Sequence, residues 1–117
     1  MSQEIKTTTQ ISYLKNNVTE KITFATSVDV SGSGMVRLTK AAATGDATLA
    51  LGGITTIGQF YFHNCDDTNN ILIGADGSSY PLELKPGEDA RGRWNGAAVH
   101  FKSNAGTPLL EYFLSDD

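Results

Sequence analysis

The chain has 117 residues, with 13 acidic and nine basic side chains and a formal net charge of −4. This length fits one domain with a hydrophobic core, and the single cysteine excludes an intramolecular disulfide and suits a reducing cytoplasm. The mild acidity provides no cationic surface for nucleic acid. Because no run approaches the about 20 apolar residues that span a bilayer, and the N-terminus lacks a signal-peptide pattern, we expect neither a membrane nor a nucleic-acid partner.

The N-terminal part of the chain is rich in residues that favour strands. The run Thr7–Tyr13 favours an extended conformation because β-branched side chains lose rotamer freedom in a helix. Asn16-Asn17 then predicts a turn. In the following run Ile22 and Phe24 point to the same side of an extended chain, so the sequence predicts a strand with one core face there.

The stretch from Phe60 to Glu88 alternates short apolar runs with turns built of Asp, Asn, Gly, Ser and Pro. The runs are Phe60–Cys65, Ile71–Gly74 and Tyr80–Lys85. Each run is too short for a helix, and the gaps contain the residues that set turn dihedrals, so the pattern predicts a β-meander. Leu82 and Leu84 alternate with charged residues and are expected to face the core.

The first of these runs has apolar or aromatic residues on both faces. Phe60 and Phe62 point to one side of an extended chain, and Tyr61 and His63 point to the other. A strand that is buried on one face only does not need this pattern. We therefore expect the Tyr61 face to meet another layer, a long loop or a neighbouring subunit.

Four segments follow one another in a recognisable order: Phe60–Asp66, Thr68–Gly74, Tyr80–Glu88 and Leu109–Leu114. The most specific part is Leu82-Glu83-Leu84-Lys85-Pro86-Gly87-Glu88. In this order the C-terminal half of the chain resembles a group of small structural proteins of tailed-bacteriophage virions. The resemblance implies a virion subunit, of the head-decoration, neck or tail type, that is made in the host cytoplasm and binds copies of itself and phage capsid or tail proteins.

Two residues could supply soft metal ligands. His63 and Cys65 lie on one strand face, but a structural zinc site needs about four ligands, and the other histidine, His100, has no cysteine near it in the sequence. Catalysis by Cys65, with His100 as the general base, would require the strands of these two residues to be neighbours. No nucleophile-elbow pattern accompanies the pair. We therefore expect packed strand residues here, with no catalytic residue, cofactor or metal site.

Arg91, Arg93 and Trp94 form the patch with the clearest binding potential, because guanidinium groups stack on indole and both residue types are enriched at interface hot spots. The alternative is a core tryptophan with two surface arginines. A second functional hypothesis is a small carbohydrate- or receptor-binding module in which Trp94, Tyr61 and Tyr80 are stacking platforms. No nucleophile–base set indicates an enzyme.

The sequence predicts an all-β fold, a single antiparallel β-sandwich of jelly-roll type. Residues 15–117 are assigned to the sandwich, and residues 1–14 to a β-prone segment that could form an extended arm. The terminal Ser115–Asp117 is expected to be solvated. The predicted function is that of a non-enzymatic, self-associating virion subunit. Its candidate interface residues are Thr7, Thr9, Ile11, Tyr13, Tyr61, His63, Arg91, Arg93 and Trp94.

Overall fold

The computed structural model describes residues 5–28, 32 and 34–117. The chain divides into two compact units, Met1–Ser31 and Gly32–Asp117. The boundary lies well beyond residue 14, where the sequence placed the end of the arm, because the strand that follows the first turn pairs with the arm. Residues 1–4 of the predicted arm lie outside the described residues.

The first unit contains a two-stranded antiparallel hairpin of β1 (Ile5–Lys15) and β2 (Val18–Val28). The turn residues Asn16 and Asn17 have φ values of 51° and 67°. A two-residue type I′ turn requires positive φ at both positions, and Asn tolerates this conformation better than most residues. The predicted extended segment and the predicted turn are both confirmed.

The core face predicted for β2 is wrong within the described residues. Ile22 and Phe24 are each 59% exposed. The alternation that predicts a half-buried strand is present, but a two-stranded ribbon is a single layer and cannot bury either of its own faces. The hairpin therefore presents apolar side chains to solvent.

The described part of the second unit contains eight strands. They are β3 (Met35–Ala41), β4 (Ala47–Thr48), β5 (Ile57–Asn64), β6 (Ile71–Gly74), β7 (Leu82–Leu84), β8 (Asp89–Arg93), β9 (His100–Ser103) and β10 (Leu109–Asp116). They form two four-stranded sheets with the orders β3-β10-β5-β8 and β4-β9-β6-β7. All the pairings between them are antiparallel.

The connections are those of a jelly roll. Apart from the β6–β7 hairpin, each strand is followed in the chain by a strand of the other sheet, as in a double Greek key. The prediction of an antiparallel, jelly-roll-like sandwich is confirmed. The predicted meander over residues 60–88 is wrong, because turn residues reverse the chain without determining which sheet the next strand joins.

The core consists of alternate residues on the inner faces of the sheets. The side chains with at most 2% exposure include Phe62, Ile71, Ile73, Leu84, Val99, Phe101, Leu110, Tyr112 and Leu114. In β10 the three inward residues are separated by single outward ones, which is the period of a strand. Leu84 is buried and Leu82 packs against the core, as predicted.

A buried asparagine fixes the end of β5. The Asn64 amide is fully buried, and its Nδ2 donates hydrogen bonds to the Asn69 carbonyl at 2.9 Å and to the Leu84 carbonyl at 3.0 Å. Its Oδ1 accepts a hydrogen bond from the Asp66 backbone N–H at 3.0 Å. One side chain thus joins the β5–β6 loop to the end of β7.

The C-terminal charge expected to be solvated is partly buried. Asp116 is 6% exposed, and its carboxylate accepts hydrogen bonds from the backbone N–H groups of Gly34, Thr55 and Thr56 at 3.0, 3.0 and 3.3 Å. A Cβ atom on Gly34 would lie 2.9 Å from the Asp116 Oδ2 and 2.9 Å from the backbone oxygen of Gly53, so a larger residue here would force the backbone to shift. The prediction of a fully solvated terminus is therefore wrong for Asp116.

Candidate functional site

The outer face of the β3-β10-β5-β8 sheet brings several predicted site residues together. In the register of this sheet His63 lies between Glu111 on β10 and Asp89 on β8. Tyr61, two residues earlier on the same face, has Arg91 as its β8 partner. Directly opposite residues on neighbouring antiparallel strands are close enough for their side chains to interact. The register therefore forms a polar surface from residues that are distant in sequence.

Three potential metal ligands converge on this surface. Cys65 follows β5 and continues its ladder, because its backbone N–H donates to the Leu109 carbonyl at 2.9 Å. Its Sγ lies 3.5 Å from Nδ1 of His63, and the same nitrogen lies 3.5 Å from Oε1 of Glu111. One ligand atom from each of the three residues lies within 4.8 Å of the others. Sequence reasoning paired His63 with Cys65 but missed Glu111.

Glu111 is held by a second partner. Its Oε2 accepts a hydrogen bond from Nη2 of Arg37 at 3.1 Å, while Oε1 faces His63. The hydrogen bond from Arg37, followed by the nearby His63 imidazole, keeps the pKa of the Glu111 carboxyl below its ordinary value, against a smaller opposing effect of burial. Glu111 is therefore held as a carboxylate, with one oxygen directed at the imidazole.

Tyr61 lines a shallow groove of about 510 Å³ beside this cluster. The groove is lined by Met35, Arg37, Tyr61, Glu111, Tyr112 and Phe113. Partial burial, followed by the negative charges of Asp89 and Glu111, raises the pKa of the Tyr61 hydroxyl. Tyr61 and His63 are half-buried. Within the described residues, the Tyr61 face is therefore not covered by another layer of the chain, although it is not fully exposed to solvent either.

The predicted Arg91–Trp94 patch does not form a single surface. The Trp94 ring contacts Phe60 and Phe62 edge-on, with centroids 5.5 and 5.8 Å away, and its Nε1 donates to the Ala98 carbonyl at 3.0 Å. Trp94 therefore packs against the core, as the alternative interpretation stated. Arg93 forms an exposed ion pair with Asp117 at 2.6 Å. The half-buried Arg91 lies beside Tyr61 in the sheet.

The four candidate residues of the N-terminal segment share one face of the hairpin. Thr7, Thr9, Ile11 and Tyr13 alternate along β1, and their partners on β2 are Thr26, Phe24, Ile22 and Glu20. Lys15 and Val18 complete the same face near the turn. We call this set the apolar hairpin face. Its members Ile11, Tyr13, Val18, Ile22 and Phe24 are between 50% and 59% exposed.

A second polar cluster, which sequence reasoning missed, lies beside the β4-β9-β6-β7 sheet. Nδ1 of His100 is 2.9 Å from Oδ2 of Asp46, and the Tyr80 hydroxyl donates a hydrogen bond to the other oxygen of Asp46. The ammonium group of Lys102 lies 4.6 Å from the Tyr80 ring centroid. The bond to Asp46 raises the pKa of Tyr80 to about 12, and the bonds from Tyr80 and then His100 lower the pKa of Asp46.

Two arrangements considered from the sequence are not formed. Cys65 extends β5 of one sheet and His100 lies on β9 of the other, so the strands are not neighbours and the pair cannot act as nucleophile and base. The three proposed stacking platforms are also separated. Tyr61 lies on the outer face of one sheet, Tyr80 contacts Lys102 of the other, and Trp94 packs against the core.

Comparison with protein-family models, with curated proteins and with solved structures finds no match. Within the described residues, no helix has the length and apolar composition required to cross a bilayer.

Proposed function

We propose that this chain is a self-associating structural subunit of a bacteriophage particle, and that the apolar hairpin face is its contact with further copies. The observation that carries the proposal is the exposure of five apolar side chains on one face of the two-stranded hairpin. Contiguous exposed apolar surface of this kind marks interaction sites. The resemblance of the C-terminal half to small virion proteins supports the phage assignment.

The apolar area of this face is sufficient for two copies to associate. Five half-exposed apolar side chains leave roughly 500 Å² on each copy, so a pair removes roughly 1,000 Å² from water, which contributes at most roughly 25 kcal/mol at about 25 cal/mol per Å². Association costs about 4–15 kcal/mol in lost freedom of motion. The apolar area therefore favours pairing, and a ring or shell in which each copy has several neighbours is stabilised further.

The charges of the hairpin favour another copy of this chain as the partner. The apolar hairpin face carries one cation and one anion, Lys15 and Glu20, near the turn. The opposite face carries Lys6 and Lys21 instead. A neutral face with one charge of each sign can pair its lysine with the glutamate of a second copy, which gives a self-complementary contact.

The solution mass of purified variants tests the contact. Phe24→Ser is expected to shift a wild-type oligomer towards monomer in size-exclusion chromatography with light scattering. Leu14→Ser is the matched control, because Leu14 is 76% exposed on the opposite face of the same hairpin. The control should keep the wild-type mass. A monomeric wild type at high micromolar concentration, or equal masses for all three proteins, would contradict the proposed contact.

The phage assignment has a separate test. Mass spectrometry of purified particles of the phage that encodes this chain should detect it at many copies per particle. Particles assembled with Phe24→Ser should contain fewer copies than particles assembled with Leu14→Ser. Absence of the wild-type chain from purified particles would contradict the virion role, even if the protein oligomerises in solution.

A further inference from the structure

We propose that His63, Cys65 and Glu111 form a binding site for a zinc-class divalent cation on the outer face of the β3-β10-β5-β8 sheet. An imidazole nitrogen, a thiolate and a carboxylate are the three ligand types that zinc takes in proteins. The site has three protein ligands and leaves one tetrahedral position for water or another ligand. It is distinct from the apolar hairpin face, and it requires no second copy.

The distances between the ligand atoms fit a tetrahedral ion. With bonds of about 2.3 Å to sulfur and about 2.0–2.1 Å to nitrogen or oxygen, tetrahedral edges are about 3.6 Å for S···N and about 3.4 Å for N···O. The separations of His63 Nδ1 from Cys65 Sγ and from Glu111 Oε1 are both 3.5 Å. The sulfur of Cys65 and the carboxylate oxygen of Glu111 lie within 4.8 Å of each other. A tetrahedral S···O edge is about 3.6 Å, so these two atoms need to approach each other by at most about 1.2 Å.

Direct hydrogen bonding accounts for this geometry less well. Nδ1 of His63 carries either one proton or one lone pair, so an ordinary two-centre hydrogen bond joins it to Cys65 or to Glu111 but not to both. The other partner of the Cys65 thiol, the His63 carbonyl, lies at a long 3.8 Å. The 3.5 Å separation of His63 Nδ1 from Oε1 of Glu111 is also longer than an ordinary N–H···O hydrogen bond. A cation between the three atoms would satisfy all of them at once.

The surroundings prepare the site for a divalent ion. Arg37 occupies Oε2 of Glu111 and so leaves Oε1 directed at the other two ligands. Such an outer hydrogen bond orients a ligating carboxylate. A thiolate and a carboxylate balance the charge of the divalent ion, so the loaded site is neutral.

Ligand access and rigidity also agree with a metal site. Cys65 is exposed, and the side chains of His63 and Glu111 are 32% and 28% exposed, so an ion can enter from solvent. The strand ladder fixes all three backbones, because Glu111 and His63 are direct partners and the Cys65 N–H is bonded to the next strand. Ligands on paired strands are held more firmly than ligands on a free loop.

Cobalt(II) and zinc(II) titrations of the reduced, full-length protein test the site. Cobalt should produce a sulfur-to-metal charge-transfer band in the near ultraviolet and the intense visible bands of a tetrahedral ion, with one ion per chain. Calorimetry should give one zinc per chain with a dissociation constant on the order of micromolar or lower. Cys65→Ser should abolish the charge-transfer band and weaken zinc binding about 100-fold, and Glu111→Gln should weaken zinc binding at least about 10-fold.

The second histidine provides a matched control. His100→Gln also removes an imidazole that faces a carboxylate, but its pair with Asp46 includes no cysteine. This variant should bind cobalt and zinc as the wild type does. Circular dichroism of each variant checks the fold, and zinc should raise the melting temperature of the wild type and of His100→Gln more than that of Cys65→Ser or Glu111→Gln. A wild type without the charge-transfer band, or with zinc affinity equal to that of Cys65→Ser, would overturn the proposal.

Discussion

Replacement of the buried Asn64 should be among the most destabilising single changes in the sandwich. In Asn64→Ala the carbonyls of Asn69 and Leu84 and the N–H of Asp66 lose their side-chain partner. The Leu84 bond is buried and the other two are partly buried. A buried group left unpaired costs about 1–3 kcal/mol, and a partly buried hydrogen bond contributes about 0.5–1.5 kcal/mol. The free energy of unfolding should therefore fall by about 3 kcal/mol.

Urea denaturation, followed by circular dichroism, measures this loss. The midpoint should fall while the slope with denaturant stays constant, because the change affects stability and not the surface exposed on unfolding. Asn95→Ala, at an exposed loop asparagine, is the control and should change stability by less than about 0.5 kcal/mol. A loss of less than about 1 kcal/mol for Asn64→Ala would refute the claim that this amide joins the loop to β7.

The isosteric variant Asn64→Asp separates hydrogen bonding from volume. The carboxylate keeps the acceptor for the Asp66 N–H but directs its second oxygen at the carbonyls of Asn69 and Leu84. Burial next to carbonyl oxygens should raise the folded-state pKa of the new carboxyl above its unfolded value. The variant is then most stable below the unfolded pKa and loses stability as pH rises through the folded pKa. Equal stability of this variant at pH 4 and pH 7, relative to the wild type, would contradict that electrostatic reasoning.

Three further predictions concern the core, the C-terminus and the second polar cluster. Trp94→Ala should lower the free energy of unfolding by about 2–3 kcal/mol without changing the oligomeric mass, because the indole packs on Phe60 inside its own sandwich. Asp116→Ala should cost about 2–4 kcal/mol in urea unfolding, since its carboxylate holds three backbone N–H groups. In a spectrophotometric titration Tyr80 should ionise near pH 12, and Asp46→Asn should bring its pKa back towards the ordinary value.

Each of these predictions has an outcome that contradicts it. If Trp94→Ala keeps the stability of the wild type but its oligomer dissociates, Trp94 contacts another copy of the chain and does not pack in its own core. Asp116→Asn retains one oxygen acceptor and should cost less than Asp116→Ala, so the reverse order would exclude the hydrogen-bond explanation. The Tyr80 hydroxyl has a raised pKa in the folded state, so its contribution to stability is present below about pH 10 and lost as pH rises to about 12. Tyr80→Phe should remove the component of the tyrosine titration curve near pH 12. A Tyr80→Phe protein whose curve keeps this component would contradict that assignment.

The strands and their faces were largely predictable from local pattern. The alternation that places Leu110, Tyr112 and Leu114 on one side of the last strand follows from a side-chain period of two, which is a property of the extended backbone alone. The Asn16-Asn17 turn was predictable for the same kind of reason, because Asn tolerates positive φ. The sequence also correctly predicted that Ile22 and Phe24 lie on one face of β2. The prediction that this face is buried was wrong, because both side chains are exposed.

What the sequence alone could not determine was which strands are neighbours. Glu111 joins His63 and Cys65 only because β10 pairs with β5, and Cys65 is separated from His100 only because β5 and β9 belong to different sheets. Turn residues specify where the chain reverses, but pairing between distant strands depends on the packing of two whole sheets against each other. The candidate metal site therefore arises from long-range register, whereas the residue types at each position were set by the sequence.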